Sequence, residues 1–145
     1  MNPASHSPPL APRRPIRFAA TLIVLRDGAA GLEVLMLRRA EKEGDQNSGA
    51  SVFPGGGVDP QDRLLHGFCD ALDDAAARRR LGWPAGGLDF YVAAIRECFE
   101  EAGLLFASEA EGRPVALDVL SDAEVAALRA TTEEGAASLR GLCAE

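Results

Sequence analysis

The spacing of apolar and polar positions divides the chain into a β-rich first part and a helical remainder. Residues 17–25 and 32–39 are apolar and β-rich, and the intervening Asp27-Gly28-Ala29-Ala30-Gly31 has the composition of a short turn, which predicts a hairpin. The polar, glycine-containing stretch 40–50 predicts a loop. Ser51-Val52-Phe53 then predicts a short strand that runs into Pro54-Gly55-Gly56-Gly57. From residue 68 to 81 apolar and charged residues alternate with helical spacing, until Gly82-Trp83-Pro84-Ala85-Gly86-Gly87 breaks the pattern. A second helix is expected from Phe90 to Ala102, with Asp89 as its N-cap and Gly103 as its stop. A third is expected to begin at Ser121, which has a capping-box spacing to Glu124, and a further one over 133–145. Residues 1–16 carry Pro3, Pro8, Pro9, Pro12 and Pro15 and read as an extended leader, because proline removes backbone donors and fixes φ.

Composition narrows the class. A chain of 145 residues, 47% hydrophobic and 26% charged, suits one globular domain with a single core. Its net charge of -7 gives no general attraction to a polyphosphate backbone, which argues against DNA or RNA as partner. The apolar run Phe18–Leu25 follows Arg13, Arg14 and Arg17 and is too short to span a membrane. It ends at a turn signal rather than a small-residue cleavage site, so a buried strand is the expectation in preference to a signal peptide. Cys69, Cys98 and Cys143 are odd in number and lack a CxxC spacing, which argues against a disulfide framework or a zinc site and for a reducing, cytoplasmic setting.

The candidate chemistry lies in Val92–Leu104. On a helix, Val92, Ile95, Phe99 and Ala102 form one apolar stripe, while Glu97, Glu100 and Glu101 stand at i, i+3 and i+4 and share a patch. Three close carboxylates repel one another, and a hard divalent cation with a preference for oxygen ligands reverses that penalty. Arg96, four residues before Glu100, can hold a carboxylate through a charge-assisted hydrogen bond. Glutamates on a solvated helix face are common, so these three alone would not point to a site.

The whole string changes that balance. Arg96-Glu97-Cys98-Phe99-Glu100-Glu101-Ala102-Gly103-Leu104 resembles the end of the Nudix box, R-E-U-x-E-E-x-G-U, in which U is a bulky apolar residue. Phe53-Pro54-Gly55-Gly56-Gly57-Val58-Asp59 resembles the segment that opens the box. The two halves are unusually far apart, which places an insertion at about 60–88, and Asp62 stands where the box has its first glutamate. A long insertion inside the box is similar to the Nudix subgroup that includes the peroxisomal-type coenzyme A diphosphatases. Arg39-Ala40 followed by Gly49-x3-Phe53-Pro54-Gly55-Gly56 looks like a motif of coenzyme A-cleaving members, although Lys42 replaces a further arginine.

The resemblance implies an α/β (α+β) fold, the Nudix α/β/α sandwich with a mixed sheet, over residues 17–145. It implies a hydrolase that cleaves the diphosphate linkage of a nucleoside diphosphate joined to another moiety, with coenzyme A or acyl-CoA as one candidate. Mg²⁺ or Mn²⁺ would be held by Glu97, Glu100, Glu101 and the Gly56 carbonyl. Glu97 would be the general base, with Glu100 and Arg96 in the catalytic set, and Arg39, Phe53, Gly55 and Gly56 would bind substrate. Most residues after Gly103 look helical and no later run of alternating β-branched residues follows, so the resemblance also implies a domain that is incomplete at its C-terminus. An inactive fragment and a non-catalytic nucleotide- or partner-binding Nudix module are the rival readings. His6 and His66 read as surface residues, Trp83 as a packing residue of the insertion in preference to an adenine-stacking one, and Cys98 as a small packing residue.

Overall fold

A computed structural model describes residues 15–44, 46–109, 112–115, 117, 120–132 and 136–144. Most of the leader, and part of the segment expected to be helical at 133–145, lie outside these residues. The strands are β1 (Ala19–Thr21), β2 (Leu25–Gly28), β3 (Gly31–Val34), β4 (Leu37–Arg38), β5 (Ser51–Val52) and β6 (Gly55–Gly57). A 3-10 segment, Pro60–Phe68, follows, and then α1 (Asp74–Leu81), α2 (Gly87–Ala102), α3 (Asp122–Thr132) and α4 (Ala136–Cys143). Among the described residues the strands form three antiparallel ladders, β1 with β6, β2 with β3, and β4 with β5.

The first apolar stretch divides its pairing. Ala19, Ala20 and Thr21 face Gly57, Gly56 and Gly55 across the β1–β6 ladder, whereas Leu25 onwards pairs with β3. The hairpin turn is shorter than its glycines suggest: Gly28 pairs with Gly31 and leaves Ala29 and Ala30 to make the bend. The stretch is also not the buried strand its apolarity predicts. Ile23, Leu25, Leu32 and Val34 are exposed, because the helices pack on β1 and β6 and not on the hairpin.

The helices surround one core. Leu65, Ala77, Leu88, Val92, Phe99, Ala136 and Leu139 cluster between the 3-10 segment, α1, α2 and α4. A smaller cluster, Ala20, Ala93 and Ala94, fills the contact between β1 and α2, and its small side chains let the helix lie close to the strand. Glycine permits a similar approach at the start of α2, where a Cβ on Gly87 would overlap the Arg78 backbone.

Capping explains where the helices begin and end. The helix expected over 68–81 begins only at Asp74, since Asp73 accepts a hydrogen bond from Ala76 N (2.6 Å) and caps it. Of the residues before it only Phe68 belongs to the 3-10 segment, which Asp59 and Pro60 open. The second helix begins before its expected cap: Gly86 takes the N-cap position, and Asp89 lies buried in the first turn. Asp74 Oδ1 accepts from Leu88 N (3.0 Å), so α1 supplies a partner that the glycine cap lacks. Gly103 ends α2 in the left-handed conformation, as its position predicts, and Ser121 and Glu124 form the expected capping box before α3.

Candidate active site

The site lies where α2 crosses β6, and three consecutive glycines make the crossing close. Gly55 N donates to Glu101 Oε2 (3.0 Å). A Cβ on Gly56 would overlap the Glu97 carboxylate, so the absence of a side chain there is what gives Glu97 its place. The Gly57 carbonyl accepts from Arg96 Nη2 (2.9 Å). The glycine segment is therefore a strand, held by β1 on one edge and read by α2 across its face.

Arg96 is the centre of the polar network. Its side chain is 5% exposed, and its Nε donates to Asp62 Oδ1 (2.8 Å), a carboxylate with no exposure at all. Its Nη1 donates to Glu97 Oε1 (3.0 Å) and to Glu100 Oε2 (3.1 Å). Burial alone would lower the guanidinium pKa, but the Asp62 hydrogen bond and the charges of Asp62, Glu100 and Glu97 outweigh it and raise it. Arg96 is thus a fixed cation that reduces the repulsion between Glu97 and Glu100 and holds both on one nitrogen.

The Glu100 carboxyl is pushed above its ordinary value chiefly by burial, with Glu97 and Asp62 adding to the rise and Arg96 opposing it. Glu97 is partly buried, and Glu101 is more open to solvent. Glu97 and Glu101 lie against the glycine strand, and Glu100 meets Glu97 at Arg96. As they stand, however, no three acidic, histidine or cysteine side chains among the described residues converge closely enough to hold a cation. Glu101 turns to Gly55 N while the other two share Arg96.

The remaining expected site residues lie elsewhere around this centre. Phe53 is half-buried just after β5, two residues before β6. Arg39 is exposed at the end of the β4–β5 ladder, where its backbone N–H bonds Ala50 O (3.0 Å). Cys98 is fully buried, in keeping with a packing role. His66 is not a plain surface residue: it is half-buried, with Nε2 2.8 Å from Asp89 Oδ1.

Two anchoring residues carry weight that spacing alone does not reveal. Asp62 comes from the inserted 3-10 segment, completes its capping box with Asp59 N (2.8 Å) and grips Arg96 with the same carboxylate. Its position relative to the glycine motif is the one signal in the sequence. Arg129, on α3, donates to Glu100 O (2.7 Å) and Glu101 O (3.0 Å) and so satisfies carbonyls at the end of α2. Nothing local to Arg129 marks that role.

A model of the NUDIX domain matches residues 16–124. Among solved structures, a NUDIX hydrolase from Alicyclobacillus acidocaldarius is similar, with 33% sequence identity and a TM-score of 0.60 over 88% of this chain and 53% of that one. The chain therefore spans about half the length of that structure. No match was found among curated proteins. With the domain model covering most of the chain, and with an arginine-braced group of glutamates lying on a glycine strand, the chain belongs to the Nudix family.

Proposed function

We propose that the chain is a divalent-metal-dependent pyrophosphohydrolase acting on a nucleoside diphosphate linked to a second moiety, with coenzyme A or acyl-CoA as the leading candidate. The observation that carries the proposal is the seating of Glu97 against Gly56 with Arg96 bracing both Glu97 and Glu100. Such an arrangement carries a desolvation cost in a merely structural helix, because Arg96 and Asp62 are taken out of water as charges and Glu97 and Glu100 are partly so.

The donor set fits Mg²⁺ or Mn²⁺ in kind, since every candidate ligand is a hard oxygen: the carboxylates of Glu97, Glu100 and Glu101 and the Gly56 carbonyl. When bound, the ion would supply an activated water and neutralise charge on the diphosphate oxygens. The chain's own residues do the rest. Glu97 accepts the proton of the attacking water, whose oxygen forms a bond to phosphorus as the bridging P–O bond breaks and its electron pair leaves with the second phosphate. Arg96 holds Glu97 and Glu100 in place. Arg39 and Phe53 contribute to substrate binding. For coenzyme A the products are adenosine 3′,5′-bisphosphate and a phosphopantetheine. The chemistry calls for no nucleic acid or membrane, and a cytoplasmic setting belongs to the same proposal.

The test is hydrolysis of coenzyme A, ADP-ribose, dinucleotides and nucleoside triphosphates with Mg²⁺ or Mn²⁺, beside Glu100→Gln. Metal-dependent turnover that is lost in Glu100→Gln, with an unchanged melt, supports the assignment. Wild-type turnover in that variant excludes the role given to Glu100. A second reading, a module that binds a nucleotide without turning it over, is favoured by the open arrangement of the three carboxylates. Nucleotide binding with no turnover under any metal would establish that reading instead.

A further inference from the structure

The inserted region carries a second concave surface at some distance from the carboxylates. A shallow, widely open depression of about 360 Å³ is lined by Ala75, Arg78, Arg79, Gly82 and Trp83. Its volume falls within the range of small-ligand pockets. Three observations bear on what it fits.

The first is charge. The chain is acidic overall, yet Arg78 and Arg79 both line this surface, and among the described residues neither has a side-chain hydrogen bond or ion-pair partner. Arginines near a helix C-terminus often serve its free carbonyls. Here backbone donors take two of them, Gly82 N bonding Arg79 O (3.4 Å) and Trp83 N bonding Arg78 O (2.9 Å). The guanidinium groups are left available to an outside anion.

The second is the indole. Trp83 meets Phe18 edge-on with ring centroids 5.2 Å apart and Phe90 with centroids 5.8 Å apart, so two aromatic neighbours fix its ring while 38% of the residue stays exposed. Gly82 beside it has a left-handed backbone and nothing within 4 Å of where a Cβ would stand, so the space next to the ring is open. A flat aromatic group has room to stack, and the indole it would meet does not need to be ordered first.

The third is position. Phe90, which braces Trp83, lies on α2 at i, i+7 and i+11 to Glu97 and Glu101, hence on the same face. At 1.5 Å per residue, Phe90 stands roughly 10–16 Å along the helix from Glu97 and Glu101. A nucleoside diphosphate is of that order of length.

We propose that Arg78, Arg79 and Trp83 form a docking site for a phosphorylated nucleoside, with the base on the indole and a phosphate between the guanidinium groups. The place of this site in turnover rests on the hydrolase reading, as the anchor for the nucleoside end of the substrate, but its binding function does not. Because the chain has one tryptophan, Trp83 reports occupancy directly. The experiment titrates the full chain with ADP in metal-free buffer containing chelator and reads tryptophan fluorescence, with adenosine and inorganic pyrophosphate as competitors. A saturable quench is expected, together with a Kd at least tenfold weaker in Arg78→Ala/Arg79→Ala and a melt unchanged by the substitutions. Adenosine and pyrophosphate are each expected to compete at least tenfold less well than ADP. An absent quench, or a Kd unchanged in the double variant, overturns the proposal. Pyrophosphate competing as well as ADP would also overturn it, by showing a simple anion site. Turnover without this quench would leave the hydrolase reading standing and remove the docking site. A quench without turnover would do the reverse.

Discussion

Asp62→Ala tests the bracing of the catalytic helix directly. Asp62 has no exposure and Arg96 is 5% exposed at its side chain, so solvent screens their interaction little. Removing one partner of a buried pair costs about 3–5 kcal/mol because it leaves an uncompensated charge. Arg96 keeps Glu97, Glu100 and the Gly57 carbonyl, which points to the lower end, about 3 kcal/mol. Asp59 N also loses its acceptor, adding about 1 kcal/mol. For a domain of this size, a total of about 4 kcal/mol corresponds to a fall in Tm of roughly 10 °C. The assay is a thermal melt by circular dichroism, run as a cycle with Arg96→Ala and the double variant. A coupling of about 2–3 kcal/mol is expected, since the two residues share one buried network. A Tm for Asp62→Ala within about 1 °C of the wild type, or a coupling below about 0.5 kcal/mol, would refute the account of how Arg96 is held.

Further outcomes follow from the same geometry. Gly56→Ala drives a Cβ into the Glu97 carboxylate and should abolish metal-dependent turnover while changing urea stability comparatively little; retained turnover would show that Glu97 does not need that space. The folded state holds the Glu100 proton more tightly than the unfolded chain does, so this group's contribution to stability falls as pH rises from the ordinary glutamate value through the raised one. A divalent cation competes with that proton, and the increase in Tm on adding Mn²⁺ should therefore grow with pH over the same interval; a pH-independent increase would argue against Glu100 as a ligand. Chelator should remove all turnover, and Mn²⁺ should restore it, in the hydrolysis assay. Arg129→Ala releases the Glu100 and Glu101 carbonyls and should lower stability by about 1–2 kcal/mol in denaturant titration, whereas Arg129→Lys should recover part of the loss.

The helical half of the site was legible because its signals are local. The i, i+3, i+4 spacing placed Glu97, Glu100 and Glu101 on one face, and Gly103 marked the end of the helix that carries them. The Ser121–Glu124 box is likewise a matter of three residues. What the sequence concealed was long-range. Gly55–Gly57 look like a turn by composition, and only pairing with Ala19–Thr21 makes them a strand. Asp89 has the right chemistry for an N-cap, but Gly86 starts the helix a turn earlier, and Asp89 is used beside His66 and Arg63. The apolarity of residues 22–25 and 32–34 says nothing about which elements pack on them, and the helices choose β1 and β6. The partners of Asp62 and Arg129 lie 34 and 29 positions away, beyond the reach of any periodic pattern.

A strand of three glycines has no side chains with which to keep its alignment. Ordinary strands resist slipping because a one-residue shift would turn their apolar side chains outward. Gly55, Gly56 and Gly57 offer nothing of that kind, and they are instead pinned by Glu101, Glu97 and Arg96. The residues assigned to chemistry thus also act as the alignment pins of the sheet. Neutralising them should quicken amide hydrogen–deuterium exchange along Ala19–Thr21 and Gly55–Gly57, even where the melting temperature hardly moves.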